Sequence, residues 1–315
     1  GSPTTNLHPA RVINISFGGQ GSCAETQRGS VGWLLRQTIQ TLAAKGVLVV
    51  ASAGNGAATS GEGLTEPTRP ANCPGVLAVT GLNQRGFKAG YANFIDGRVP
   101  SQQYGLAVAS GDTQRGPNGW VLSDSGIVSL VNSGTQQPTS DFQMTNGLVG
   151  TSFAAPQAAG VAALMLAIDP SLTVSELLEA LRNNVRSFEP VLVPKASDTE
   201  PDSYYPTCDA THTTKCSCTT ATCGAGVLDA GLAIDWAIRD AAARNGVVTD
   251  PSDAVVTASF FSPEHAATDG ATSSSTGGGG GGAVDTHGLM ALALALLAAL
   301  AWRRRQDRQA TKPLS

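Results

Sequence analysis

Ser152 is the residue best placed in this chain for nucleophilic chemistry. It lies in Gly150-Thr151-Ser152-Phe153-Ala154-Ala155-Pro156, which runs on into the small apolar residues Ala158 to Met165. Gly150 tolerates positive φ and so permits a tight turn. Thr151 and Ser152 are both residue types that cap a helix start. The run after them predicts a helix packed closely on every face, with Pro156 near the first turn, where it costs few helical bonds. A serine there sits at the positive end of a helix dipole, beside unpaired backbone N–H groups that can bind a developing negative charge. Those are the needs of a nucleophilic serine. An ordinary core helix with a polar cap uses the same pattern, so the reading depends on partners elsewhere.

Asn55 is the first such partner. Val47-Leu48-Val49-Val50-Ala51 is a continuous apolar run, as a parallel strand buried on both faces requires. Asn55 follows its carboxyl end, where open α/β sheets place their ligands. A side-chain amide there can donate to an oxyanion, although Gly-Asn-Gly is also common turn chemistry. Upstream, Arg11-Val12-Ile13-Asn14-Ile15-Ser16 reads as a short buried strand that ends at a glycine pair. Between the two strands, Val31, Leu34, Leu35, Ile39 and Leu42 recur at helical spacing over Ser30–Lys45, and Gly46 is a C-cap. Strand, helix and strand in so few residues predict a βαβ unit.

Three of these stretches resemble one family in its own order. Gly150-Thr151-Ser152-Phe153-Ala154-Ala155-Pro156 is similar to the active-serine motif of the subtilisin-like serine proteases. Val50-Ala51-Ser52-Ala53-Gly54-Asn55 looks like their oxyanion-asparagine motif, and Val12-Ile13-Asn14-Ile15-Ser16-Phe17-Gly18-Gly19 like their substrate strand. The resemblance covers roughly residues 9–240 and implies an α/β, parallel-sheet, three-layer fold. It implies Ser152 as nucleophile and Asn55 as oxyanion donor. Ser16, Phe17 and Gly18 would bind an extended substrate through main-chain hydrogen bonds, which tolerate many side chains. Ser52, Ala53 and Gly54 would line a roomy pocket of broad specificity. Protein or peptide substrates are the implied partners. The chemistry needs no cofactor; structural calcium occurs in relatives, but no site for it can be matched in this sequence.

The family's other two catalytic residues are not recognisable. Asp124-Ser125-Gly126 imitates its Asp-Ser-Gly motif, yet lies downstream of Asn55 rather than far upstream, and reads as a turn. None of His8, His212, His265 and His287 stands in a His-Gly-Thr context. The chain opens Gly1-Ser2-Pro3 without a signal peptide. The expectation is therefore an N-terminally incomplete domain, with histidine and aspartate upstream and these residues alone inactive. An inactive, surface-anchored binding module of the same fold is the rival reading.

Six cysteines form an even set: Cys23, Cys73, Cys208, Cys216, Cys218 and Cys223. Three disulfides in an exported protein are the leading reading. Cys216-x-Cys218-x4-Cys223 departs from the usual zinc pairing and has only His212 nearby, which makes zinc the weaker alternative. The family resemblance pairs Cys23 with Cys73, the cysteine of Pro70-Ala71-Asn72-Cys73-Pro74-Gly75; it leaves the last four unassigned. Further along, residues 82–145 read as short strands and loops. The core helix is expected to end before Asp169-Pro170. Thr173-Val174-Ser175-Glu176 is a capping box. Gly224-Ala225-Gly226-Val227-Leu228-Asp229-Ala230 leads into a last helix, to about Arg244.

Charge excludes a nucleic-acid binder. Charged residues are only 14% and the net charge is −4. Five of the 20 basic residues follow Trp302, so the preceding body carries 15 basic against 23 acidic groups. Beyond residue 246 the composition changes to a Ser/Thr/Gly-rich linker, 247–282, ending in an unbroken glycine run. Residues 283–315 hold the apolar stretch Leu289–Trp302 and then Arg303-Arg304-Arg305. Fourteen residues are short for a membrane span of about 20, but the arginine cluster argues for a stop with the C-terminus inside. The order resembles the Gly-Gly sorting tails of some Gram-negative exported proteins. That implies transient anchoring in the inner membrane by a short transmembrane helix, removal by a rhomboid-like membrane protease, and a cell-surface or secreted product. The expected organisation is a peptidase domain over 1–246, a linker and a tail.

Overall fold

The computed structural model describes residues 9–56, 66–112, 126–139, 143–193, 199, 201–214 and 216–246, with backbone only over 143–146. The linker, the tail with Leu289–Trp302, Asp124-Ser125 and the histidines His8, His265 and His287 lie outside the described residues. Two compact units divide the chain, 1–240 and 241–315. Only 241–246 of the second are described, as the end of the last helix and its cap.

The elements in order are β1 (Val12–Ile15), α1 (Val31–Ala44), β2 (Leu48–Ser52), β3 (Val76–Leu82), β4 (Leu106–Ala109), β5 (Ile127–Val131), β6 (Gln143–Leu148), α2 (Thr151–Ile168), α3 (Val174–Asn183), β7 (Val185–Arg186), β8 (Val227–Leu228) and α4 (Ala230–Arg244). Six strands form one sheet in the order β1-β2-β3-β4-β8-β7. Every pair from β1 to β8 is parallel, while β7 joins β8 antiparallel. Strands β5 and β6 make a separate antiparallel hairpin.

Strand periodicity divides the core into two layers around the sheet. Leu48, Val50, Leu77, Val79, Leu106 and Val108 cluster with α2, α3 and α4. The alternate residues Val49, Ala51, Val76 and Ala78 cluster with Ile39 of α1. Side chains two apart on a strand share a face, so helices cover both faces. That makes the three-layer α/β arrangement, and it explains why β2 and β3 are buried along their whole length.

Local chemistry sets the helix ends. Ser30 caps α1 by accepting from the Trp33 N–H. At the other end Gly46 donates to the Ala43 carbonyl and Val47 to that of Leu42, a Schellman closure with Gly46 at φ 74°. Thr173 starts α3 through a full capping box with Glu176. The core helix α2 stops at Ile168, just before Asp169-Pro170.

Two expectations change. β1 is half-buried rather than buried, with Asn14 exposed, because it is the edge of the sheet. α2 is not covered on every face. It packs across β1 to β4, while Gln157, Gly160, Ala163 and Ala167 form an exposed stripe at helical spacing. A helix lying on a sheet buries the side that faces it, however apolar the remainder. Among the described residues α2 is also the one helix long and apolar enough to cross a membrane, and here it is the core helix.

All six cysteines pair: Cys23–Cys73, Cys208–Cys216 and Cys218–Cys223. The sulfurs of Cys208, Cys218 and Cys223 lie within 4.8 Å of one another. They belong to two adjacent disulfides, so no thiolate remains there to ligate zinc.

Candidate active site

Ser152 occupies the second position of α2, and Gly150 rather than Thr151 is the N-cap. Gly150 has φ 146°, and a β-carbon there would come 3.3 Å from the Asn55 side-chain nitrogen. Glycine takes that φ without strain, and a β-carbon there would also press on the Asn55 amide. The chain thus brings Ser152 and Asn55, far apart in sequence, to one corner.

The orientation of Asn55 follows from its partner. The Thr151 backbone N–H donates to Asn55 Oδ1 at 3.0 Å, and Thr151 Oγ1 donates to the same oxygen at 2.8 Å. A backbone N–H only donates, so the amide atom facing it is the oxygen. The NH₂ group is therefore turned away from Thr151 and is available to a ligand beside the helix start. Thr151 is fully buried, and its Oγ1 also accepts from the Gly54 N–H at 3.2 Å. It latches the asparagine loop to the serine helix. Sequence reasoning identifies Thr151 only as a cap and misses this role; its place between Gly150 and Ser152 is the available signal.

Ser152 and Ser16 exchange hydrogen bonds. Ser152 Oγ donates to the Ser16 carbonyl at 2.8 Å, and Ser16 Oγ donates to the Ser152 carbonyl at 2.9 Å. The second bond has a cause in the sequence. Pro156 stands four residues after Ser152 and has no N–H to close the helical bond, which leaves that carbonyl open. Pro156 thus lies beyond the first turn and costs one specific bond, which Ser16 replaces. A hydroxyl that donates to a carbonyl keeps its proton. It becomes a nucleophile only when a base takes that proton.

The remaining expected residues fall around this corner. Ser16, Phe17 and Gly18 follow β1, and Phe17 is 76% exposed. Gly19 pairs antiparallel with Arg69 through two backbone hydrogen bonds. Ser52 and Ala53 are buried as whole residues, with the Ala53 N–H and carbonyl both hydrogen-bonded within the protein, and Gly54 is half-buried, so of these three expected pocket residues Gly54 is the one with open surface. His212 is the only histidine among the described residues. It is held in an exposed turn by Asp209 and Thr211. Asp209 is kept well below the usual carboxylate range by hydrogen bonds from the Thr211 hydroxyl and the His212 and Thr211 N–H groups.

Comparison with known proteins adds the family. Residues 4–213 match the profile of Peptidase_S8, the Subtilase family. An extracellular protease of Xanthomonas campestris pv. campestris is 33% identical over 187 residues, covering 58% of this chain and 26% of that protein. An extracellular basic protease of Dichelobacter nodosus is 29% identical, covering 58% of this chain and 25% of the relative. A calcium-dependent protease of Nostoc sp. is 30% identical, covering 47% and 21%. The chain thus spans about a quarter of the length of these curated relatives. Among solved structures, proteases from Pseudoalteromonas arctica PAMC 21717 give 30% identity and a TM-score of 0.49, with 75% of this chain and 54% of that chain covered. The profile match takes in the Asn55 loop, the Gly150 turn and every strand of the six-stranded sheet except β8, and it makes this chain a member of the subtilase family.

Proposed function

We propose that the complete protein is an exported serine endopeptidase in which Ser152 is the nucleophile and Asn55 the oxyanion donor. The observation that carries this reading is the double hydrogen bond from Thr151 to Asn55 Oδ1. It aims the amide NH₂ beside Ser152 before any substrate arrives. Pre-aimed donors of this kind stabilise charge that appears only in the transition state.

An extended peptide lies along Ser16-Phe17-Gly18, paired through backbone groups. A base withdraws the Ser152 Oγ proton from the Ser16 carbonyl, and Oγ attacks the scissile carbonyl carbon. The carbonyl oxygen takes the negative charge, facing Asn55 Nδ2 and the Ser152 N–H. Return of the proton to the leaving nitrogen breaks the C–N bond and leaves an acyl-enzyme, which water hydrolyses by the same steps in reverse. Histidine as base and aspartate to orient it are assigned to residues upstream of position 1, which the quarter-length match to the relatives supports. Among the described residues no three carboxylates converge around one ion position. No step is routed through calcium, although the Nostoc relative is named for it.

The tail is part of the proposal. The glycine run, Leu289–Trp302 and the arginine cluster form a sorting signal that holds the protein in the inner membrane until a membrane protease removes it.

Hydrolysis of casein by the complete protein tests the reading. Ser152→Ala should abolish turnover, and residues 1–315 alone should show none. Full activity in Ser152→Ala would overturn the assignment, and so would serine-inhibitor-sensitive hydrolysis by residues 1–315. An inert complete protein that still binds peptides would favour a binding module.

A further inference from the structure

The Asn55 loop is held from behind as well as from the front; Thr68 and Val79 hold Ala53, and Asn93 bonds to residues on both sides of Asn55. Asn93 is fully buried. Its Oδ1 accepts from the Gly56 N–H at 2.7 Å. Its Nδ2 donates to the Ala53 carbonyl at 3.1 Å and the Glu66 carbonyl at 3.0 Å. Its backbone N–H donates to the Gly54 carbonyl at 2.9 Å. Asn93 therefore grips residues 53, 54 and 56, on both sides of Asn55. The approach is close: a β-carbon on Gly54, at φ 106°, would come 2.7 Å from Asn93 Nδ2.

Asn93 is itself anchored to the sheet. Thr80, buried in the middle of β3, donates its hydroxyl to the Asn93 carbonyl at 2.6 Å. The path runs from β3 through Asn93 to the loop, and from the loop through Asn55 to Thr151 at the start of α2. A loop clasped at both flanks and latched at its tip presents its amide at one position. We propose that Asn93 is a positioning residue for the oxyanion asparagine, setting where Asn55 Nδ2 stands relative to Ser152. The proposal rests on the functional reading above.

Neither aspartate nor alanine replaces it in place. Aspartate keeps the acceptor for Gly56 but turns an oxygen toward the carbonyls of Ala53 and Glu66. Alanine removes the Oδ1 acceptor for the Gly56 N–H and the Nδ2 donor to the Ala53 and Glu66 carbonyls, so the loop loses all three side-chain bonds to Asn93.

The test uses the complete enzyme with a peptide substrate that spans the scissile bond. Asn93→Asp and Asn93→Ala should lower kcat by up to ~10²-fold, the scale of a roughly 1 Å misplacement. KM should change less than kcat, because Ser16-Phe17-Gly18 is untouched and the backbone bond from Asn93 to the Gly54 carbonyl is kept. In an Asn55→Leu background the same changes should cost little more, since the group they position is gone. Unaltered kcat in folded Asn93 variants would overturn the proposal, as would a loss that adds in full to that of Asn55→Leu. Should alanine prevent folding, Asn93→Asp and Asn93→Ser carry the same cycle. If the wild-type protein has no activity, the functional reading falls. Amide hydrogen exchange then decides the positioning claim alone: faster exchange confined to residues 53–56 in Asn93→Asp supports it, and unchanged exchange refutes it.

Discussion

At the scale of single residues, the corner works through bonds that have one available direction. Asn55 Oδ1 is occupied twice by Thr151, which leaves its NH₂ to act. Asn55→Leu should therefore lower kcat by about 10²–10³, the scale on which subtilisin itself loses turnover when one oxyanion donor is removed. Thr151→Val keeps the backbone donor and loses only the hydroxyl bonds. It should cost about tenfold, the scale of losing the 2.8 Å bond from Oγ1 to Asn55 at roughly 1.4 kcal/mol, the bond from the Gly54 N–H at 3.2 Å being the weaker of the two. Steady-state kinetics on both variants checks the order; a larger loss in Thr151→Val than in Asn55→Leu would contradict it. A second residue, Lys88, gives a pH signature. It is fully buried, donates to the Ala89 and Ala92 carbonyls at 2.8 and 2.7 Å, and lies 4.7 Å from the Phe94 ring centre. Burial pulls its pKa down to about 7, and Asp112 works in the opposite direction. In the unfolded chain a lysine titrates near about 10.4. Between those values the unfolded state binds more protons, so stability contributed at this site rises with pH from about 7 toward 10. Below that window both states are charged, and above it both are neutral. Lys88→Met should flatten the rise in urea titrations across the window. An identical slope in both proteins would show that other groups produce it.

Among the elements, the loops around β2 are tied by one covalent link. Cys23 lies between β1 and α1, Cys73 just before β3, and the two are joined across 50 residues. Both are fully buried beside Ala51, Ala53 and Ala71. In the chain-entropy view, closing a loop of that length stabilises by roughly 4 kcal/mol. Peptide mapping of the non-reduced, folded protein should recover the linked pair, and replacing both by serine should lower the unfolding free energy by about that amount. A free thiol at either position in oxidised protein would rule the link out. Helix α2 is tied by packing instead of a covalent bond. Its composition predicts burial on all sides, yet the sheet covers one side only and Gln157, Gly160, Ala163 and Ala167 stay outside.

For the whole molecule, the parallel sheet carries the serine corner at one end of its run. β1 is the edge strand, and its residues are only partly covered. An exposed strand edge offers unpaired backbone groups to another strand. On the proposed reading, strands upstream of residue 1 cover that edge and bring the base to Ser152. The other end of the chain gives a separate prediction. Mass spectrometry of the protein from its native host should find a C-terminus within or before the 283–315 segment. Intact Lys312-Pro313-Leu314-Ser315 on the mature protein would replace the sorting signal with a permanent anchor.

What was legible in the sequence was local. The Ser30 and Gly46 bounds of α1, the Thr173 capping box, the apolar run of β2 and the stop before Pro170 all depend on residues within a turn or a strand of each other, so propensity and spacing suffice. The Ser152 and Asn55 stretches were ambiguous by propensity alone and were legible through their resemblance to contiguous family motifs. The tertiary structure alone decided what meets across the sequence: the order β1-β2-β3-β4-β8-β7, the edge position of β1, the split of four cysteines into Cys208–Cys216 and Cys218–Cys223, and the grip of Asn93 on the Asn55 loop. Thr151 was visible as a cap and became a latch only when Asn55 arrived from 96 residues away. Such contacts carry no local signature, because each is fixed by the packing of the sheet and helices as a whole.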